Sequence, residues 1–195
     1  MGAVATEAEV AALWLAVVRA GGAVGFPADA PPEAIVSAAA ALIADVAAGR
    51  EDLLVERAAG EVTGLVRGEV KGPVVGEVNG PVNRELAGAA NGALVGMVAL
   101  RPASGAVYAH RAELRKLMVH PALQRSGAGG RLLTRALEHA RARGLRQVRL
   151  STRGGTHLPD YYRRRGWVEV GRFPGALQIG PGDFRDEYWF QYDLA

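Results

Sequence analysis

The 195-residue chain contains no cysteine. A disulfide framework, a thiolate zinc site and a cysteine nucleophile are thereby excluded. Its four histidines, at positions 110, 120, 139 and 157, are too scattered to suggest a metal site, and no metal is expected. Long hydrophobic runs are missing as well: Gly, Pro or a charge breaks each apolar stretch before it reaches the roughly 20 residues of a membrane span. A basic start followed by an apolar signal segment is not seen either, so a cytoplasmic location is the expectation. Lysine is scarce, since only two of the 23 basic residues are Lys and the rest are Arg. Guanidinium groups suit phosphate oxygens.

What is present fits one globular domain, alone or with an appendage: 49% hydrophobic and 22% charged residues, with a net charge of +3. The charge is unevenly placed. Residues 1–109 carry 7 Lys and Arg against 12 Asp and Glu, whereas residues 110–195 carry 16 against 8. The basic half calls for an anion, which from charge alone could be nucleic acid, a membrane surface or a polyphosphate cofactor.

Periodicity and punctuation predict the elements. Thr6 to Ala20 reads as a helix capped by Thr6 and stopped at Gly21-Gly22. A Gly/Pro-rich loop follows, then a helix from about Pro32 to Ala48 closed by Gly49, and a short strand over Leu53 to Glu56. Residues 60–83 repeat with period eight, as in Gly68-Glu69-Val70 and Gly76-Glu77-Val78. Three such copies are too few and too polar for a solenoid and read as an extended hairpin or a mobile excursion. Strands are expected at Ala93 to Leu100, Glu113 to Val119, Gln147 to Thr152, Trp167 to Val170 and Glu187 to Tyr192, with helices at Gly127 to Arg143 and Leu158 to Arg165. Alternating strands and helices with several short links predict an α/β fold with a mixed sheet.

The most informative stretch is Gln124-Arg125-Ser126-Gly127-Ala128-Gly129-Gly130-Arg131, between an apolar strand and an amphipathic helix. Small residues there let a loop wrap an anion while the first helical N–H groups, lacking intrahelical partners, point at its oxygens. The pattern is neither a Walker A loop nor a dinucleotide fingerprint. It reads as a pyrophosphate cradle, with a Gly-rich helix start bearing surface arginines as the plainer alternative.

These residues resemble the GNAT superfamily of N-acetyltransferases, whose signature is such a loop after a strand ending as Val119-His120-Pro121 does. Tyr161-Tyr162-Arg163-Arg164-Arg165-Gly166-Trp167 is similar to the family's Tyr-x-x-x-Gly-Phe element. Within the superfamily, Gly21 to Phe26, His110 to Val119 and Val170 to Gly175 resemble the tabtoxin resistance acetyltransferase group. The resemblance runs from about Ala11 to the C-terminus and fails at the repeat, which looks like an insertion at about 58–90 in the turn of an early hairpin. It implies a single GNAT domain: a mixed, mostly antiparallel central sheet flanked by helices, with a repeat-containing β-hairpin insertion.

It also implies roles. The backbone of Leu117, Met118 and Val119 would pair with the pantetheine amides of acetyl-CoA, and the loop from Gln124 through Ser126, Gly127 and Ala128 to Gly129 and Gly130 would hold the pyrophosphate. Arg125 and Arg131 would add charge, with Arg125 the better placed. Tyr162 stands where the family commonly has its general acid, the alternative being a core aromatic, and Tyr161 would point elsewhere and serve as a control. Glu113 is the candidate base, sharing a strand face with Arg115 and Leu117; the alternative is a salt-bridged carboxylate. Gly25 and Phe26 would line the acceptor pocket with Asp186 and Glu187, which precede the last strand and could equally form a solvated turn. Two departures stand out: Ser151 replaces an Asp of the toxin-resistance group, and Gly155 stands where many relatives carry Asn.

The function these features imply is transfer of acetyl from acetyl-CoA to a primary amine of a small molecule, an antibiotic or a toxin being one such acceptor. Acetylation of a protein lysine or N-terminus and a silent acyl-CoA-binding sensor are the alternatives. Neither nucleic acid nor a membrane is expected as a partner, and a homodimer is allowed for.

Overall fold

The computed structural model describes residues 5–22, 24–58, 62–66, 69–74 and 92–194. Helix α1 (Glu7–Arg19) opens with a full capping box, in which Thr6 accepts from the Glu9 N–H and Glu9 reaches back to the Thr6 N–H. Helix α2 (Pro32–Ala47) starts with Pro in its first turn and ends before Gly49, whose φ of 68° suits a residue without a side chain. Strand β1 (Asp52–Arg57) pairs antiparallel with β4 (Leu94–Pro102), from Asp52 opposite Leu100 to Arg57 opposite Leu94. Between them in sequence, β2 (Val62–Val66) and β3 (Glu69–Val74) form an antiparallel pair that extends the sheet beyond β1. The remainder of the expected insertion at 58–90, with its third repeat copy, lies outside the described residues.

Strand β5 (Arg111–Val119), helix α3 (Ala128–Ala142), strand β6 (Gln147–Arg153), helix α4 (Leu158–Arg163) and strands β7 (Val168–Gly180) and β8 (Asp183–Asp193) complete the fold. The sheet order is β3-β2-β1-β4-β5-β6-β8-β7. Only β5 and β6 run parallel, and α3 is their crossover, so the sheet is mixed and mostly antiparallel as expected.

Two expectations at the C-terminal end are corrected. The strand expected to stop at Val170 runs to Gly180, and the last strand begins at Asp183, so Asp186 and Glu187 lie inside β8 and not before it. Gly171, Pro174 and Gly175 lie inside this longer strand, where register shifts between Glu169 and Gly171 and between Phe173 and Leu177 accommodate them.

The sheet separates two cores. On one face, Leu132, Leu133, Ala136 and Ala140 of α3 pack with Leu114, Val148, Leu150, Trp167 and Phe190. On the other, Leu13, Trp14 and Val18 of α1 and Ile35 and Ala39 of α2 pack with Leu53, Val55, Met97 and Met118. Each fully buried aliphatic side chain contributes about 1.5–3 kcal/mol. The same β1 strand answers much of the charge asymmetry. Three buried first-half carboxylates meet second-half partners: Glu51 pairs with Arg115 at 2.6 Å, Asp52 with Arg143 and with the His139 ring at 3.1 Å, and Glu56 with Arg131 at 2.5 Å. Part of the basic excess is therefore spent inside the molecule and not on a ligand.

Candidate functional site

The parallel pairing of β5 with β6 is short. It joins Arg111 to Gln147, Ala112 to Val148 and Glu113 to Arg149, and then ends, although both strands continue. Beyond Glu113 the β6-facing flank of β5 has no strand partner, while β6 stays paired with β8 up to Arg153. A wedge thus opens between the strands, with unused backbone hydrogen-bonding groups of β5 along one side.

On its other flank β5 carries a bulge. Met97 stands opposite Met118 and Ala99 opposite Arg115, so two residues, Lys116 and Leu117, face one, and Lys116 adopts φ 55°. The bulge inverts the alternation of the strand. Ala112 and Leu114 face the α3 core, yet Met118 faces the α1–α2 core and Leu117 and Val119 pack toward α3. This corrects the expected shared face of Glu113, Arg115 and Leu117, because period-two parity holds only until a bulge intervenes.

The wedge leads to the glycine loop. Gly127 takes φ 88° as the N-cap of α3, and Arg125 takes φ 66° before it. Within the turn, the N–H of Gln124 donates to the Pro121 carbonyl and that of Ser126 to the Leu123 carbonyl. Ser126 Oγ also donates to Leu123 and accepts weakly from the Ala128 N–H at 3.4 Å. The N–H groups of Arg125, Gly127, Gly129 and Gly130 have no partner among the described residues. Four free donors at a helix N-terminus fit a pyrophosphate. Arg131 is engaged with Glu56 and with the Ser126 carbonyl, whereas Arg125 makes no ion pair with a described residue.

The tyrosine pair divides its work. Tyr162 is buried against Trp167 and Phe190, ring centroids 5.7 and 5.8 Å away. Burial raises its phenol well above the ordinary value, so it stays protonated. Tyr161, expected to be a mere control, turns toward the cradle: its buried hydroxyl, without a partner, lies 3.5 Å from the place a Gly129 Cβ would occupy. Arg165 stacks over the Tyr161 ring at 3.7 Å, and its guanidinium lies 3.5 Å from the place a Gly130 Cβ would occupy. By residue type the Arg163 to Arg165 run reads most simply as a solvated helix end, with phosphate contact as the minority reading; the spacing of four between Tyr161 and Arg165 is the local signal that sets Arg165 apart. Arg163 itself pairs with Asp160 and Glu169. A cavity of about 380 Å³ adjoins this corner, lined by Gly130, Thr134, Arg141, Arg165, Trp167 and Tyr192.

On the opposite face, the loop after α1 is firmly held. Trp14 Nε1 donates to the Val24 carbonyl at 3.0 Å, Phe26 packs edge-on against Trp14, and Arg19 donates to the Ala30 carbonyl at 2.9 Å. Arg153 at the end of β6 reaches across to the Gly21 carbonyl at 2.8 Å. Lys116 lies 4.5 Å above the Trp14 ring, beside Gly25, and burial followed by the nearby Arg115 pushes its ammonium below the ordinary lysine value. Glu113, at the last paired position before the wedge, is 3.6 Å from Arg115. Asp186 is not the solvated turn residue considered as an alternative: it accepts from the Gly175 N–H at 2.9 Å and from Arg172 at 2.7 Å, which hold its carboxyl below the usual range. Glu187 stands in register with Arg153. Gly155 has φ 71° and faces the Arg185 guanidinium. Among the described residues no cluster of three or more His, Cys, Asp or Glu could hold a metal, and no helix is long and apolar enough to cross a membrane.

Comparison with known proteins agrees with this geometry. Residues 78–167 match the sequence profile of the Acetyltransferase (GNAT) family, which covers the wedge, the cradle and the tyrosine helix. No curated protein matches the chain by sequence. Among solved structures, an acetyltransferase of the GNAT family from Streptococcus pneumoniae superposes with TM-score 0.61 at 18% identity, over 96% of this chain and 93% of that one. A ribosomal-protein-alanine N-acetyltransferase from Brucella melitensis gives 0.62 at 18% identity, covering 97% and 96%. The yncA protein of Salmonella typhimurium, solved with its cofactor acetyl-CoA, gives 0.60 at 15% identity, covering 98% and 91%. The match covers just under half of the chain, and over nearly its whole length the chain has the fold of these acetyltransferases.

Proposed function

We propose that the chain is an acetyl-CoA-dependent N-acetyltransferase of the GNAT kind, and that its acceptor is a primary amine of a small molecule, which attacks the thioester directly. The observation that supports this reading is the hydrogen bond from Arg153 to the Gly21 carbonyl at 2.8 Å, which ties the end of β6 to the loop after α1 on the side assigned to the acceptor. The residue-level likeness to the tabtoxin resistance group points the same way, although Ser151 removes one carboxylate of that group and leaves the acceptor's identity open to difference.

When bound, acetyl-CoA supplies an acetyl group activated as a thioester. The chain's own residues do the rest. The open flank of β5 at Leu117, Met118 and Val119 offers backbone partners for an extended amide chain, and the free N–H groups of Arg125, Gly127, Gly129 and Gly130 take negative charge. Arg125, Arg165 and the unpartnered Tyr161 hydroxyl serve that same anionic end, and the adjoining cavity suits a nucleotide. Glu113 is the base that accepts the amine proton, directly or through water; an alkylamine is mostly protonated near neutrality and has to lose that proton before attack. Tyr162 is the proton donor to the leaving thiolate. Burial keeps the phenol protonated across the neutral range, and because it is then a weaker acid than the thiol formed, the transfer relies on positioning in the transition state.

Comparing Tyr162→Phe with Tyr161→Phe tests the assignment. Tyr162→Phe is expected to lower kcat about 10- to 1,000-fold with acetyl-CoA affinity retained, somewhat below the roughly 100- to 10,000-fold usual for general acid–base groups because a phenol is a weak acid toward a thiolate. Tyr161→Phe is expected to raise the KM for acetyl-CoA with kcat nearly intact. The reverse pattern, read by thiol release and calorimetry, would move the acid to Tyr161. Thiol release confined to peptides, with none from small amines, would overturn the small-molecule reading.

A further inference from the structure

Lysine is used twice in a chain with 21 arginines, at positions 71 and 116. Lys116 is placed with unusual care. It is one of only two non-glycine residues with positive φ among the described residues, the other being Arg125 in the cradle. A left-handed backbone is unfavourable for a residue with a side chain, and such strain collects at functional sites. The bulge it belongs to is what turns its side chain to the α1–α2 face, where the ammonium lies over Trp14. A Cβ on Gly25 would sit 3.1 Å from Nζ, so the loop leaves room for the ammonium at a position where it has no side chain.

The ammonium nevertheless has no anion. Lys116 forms no hydrogen bond or ion pair among the described residues. The carboxylates that act on it electrostatically, Glu51 and Glu113, are already engaged: Glu51 with Arg101 and Arg115, Glu113 with Arg115. A ring face compensates a desolvated cation only in part, and a half-buried charge without a counter-ion is costly. The loop that covers it, Gly21 to Phe26, is the one assigned to the acceptor. The neighbouring Arg115 guanidinium is already held by Glu51 and Glu113, so the unspent donor is a single ammonium, which matches a monoanion such as a carboxylate better than a phosphate, which favours bidentate arginine.

We propose that the Lys116 ammonium, held between the Trp14 ring and Gly25, binds a carboxylate of the acceptor, so that the preferred acceptors are amines that also carry a carboxylate, as free amino acids do. This rests on the small-molecule reading above and narrows it: polycationic amines would meet a like charge at the pocket and be rejected.

Two measurements test it. Thiol release is followed for a set of free α-amino acids, their C-terminal amides and phosphoethanolamine. The free acids are expected to exceed their amides about 100-fold in kcat/KM in the wild type, a typical size for a partly desolvated charge pair. Lys116→Met is expected to reduce that preference to about 3-fold with the acetyl-CoA Kd unchanged, and Lys116→Arg to restore part of it. The second measurement needs only the wild type: reductive methylation read by mass spectrometry, with Lys71 as internal reference. The preferred free amino acid should slow labelling of Lys116 about fivefold and leave Lys71 unaffected, and its amide should not protect. Equal turnover of acids and amides, a preference for phosphoethanolamine, or unprotected Lys116 overturns the proposal. A lack of turnover with every small amine, alongside turnover of a peptide, would instead mark the failure of the small-molecule reading.

Discussion

The two faces of the sheet prepare for ligands in opposite ways. On the α3–α4 face, the side-chain charges near the end of β5 are partly spent, with Arg131 on Glu56, and the free groups are backbone N–H donors of Arg125, Gly127, Gly129 and Gly130. On the α1–α2 face the loop is pinned by Trp14, Arg19 and Arg153, and the free group is a side chain, Lys116. Backbone donors suit a ligand part that is always the same, here the anionic end of a cosubstrate. A lone side chain can be exchanged without rebuilding a turn, which suits the part of the reaction that differs between enzymes.

The largest expected break in this comparison is in the cores. Leu132→Ala removes a fully buried side chain that lies against Gly96 of β4, and is expected to destabilise the fold by about 2–5 kcal/mol, read as a lower urea midpoint. Acetyl-CoA affinity should fall with it, because α3 carries the cradle. Gly127→Val attacks the cradle itself: a β-branched residue at φ 88° is strained, and the donors would turn away from one another. A loss of acetyl-CoA affinity of about 100-fold is expected by calorimetry, equivalent to about 2.7 kcal/mol. Labelling of Lys116 on the opposite face should stay as it was, and a parallel change there would erase the distinction between the faces.

The smallest effect is in acid. The side-chain hydrogen bond from Arg57, more than any other contact, holds the Glu9 carboxyl at about 2. A carboxyl depressed in the folded state stabilises above its unfolded pKa, and that contribution is lost as pH falls from about 4.5 toward 2. Glu9→Gln should flatten this part of the stability curve and leave the cradle's affinity unchanged at neutral pH; an identical acid branch would show that the pair contributes nothing.

The α3–α4 face was the legible one. Gln124 to Arg131 lie in consecutive positions, so strand, turn and helix N-terminus could be read from local residues, and so could the capping box at Thr6 and Glu9. The tyrosines were half legible. Their motif singles out Tyr162 as the candidate acid, but which ring enters the core and which meets Gly129 depends on how α4 sits on β6 and α3. Asp186 and Glu187 were misplaced because Pro174 and Gly175 signal a break locally, whereas pairing with β8 carries the strand across them.

The sequence by itself determined the α/β order, the glycine turn after an apolar strand and the absence of thiol chemistry, since these depend on residue type and near-neighbour spacing. Only the tertiary structure decided which charges remain unspent. Glu56 meets Arg131 and Asp52 meets Arg143 across some 75 and 91 positions, and a single bulge moves Lys116 to the face opposite Leu117. Pairing between distant segments sets which groups are left for a ligand, and no local pattern encodes it.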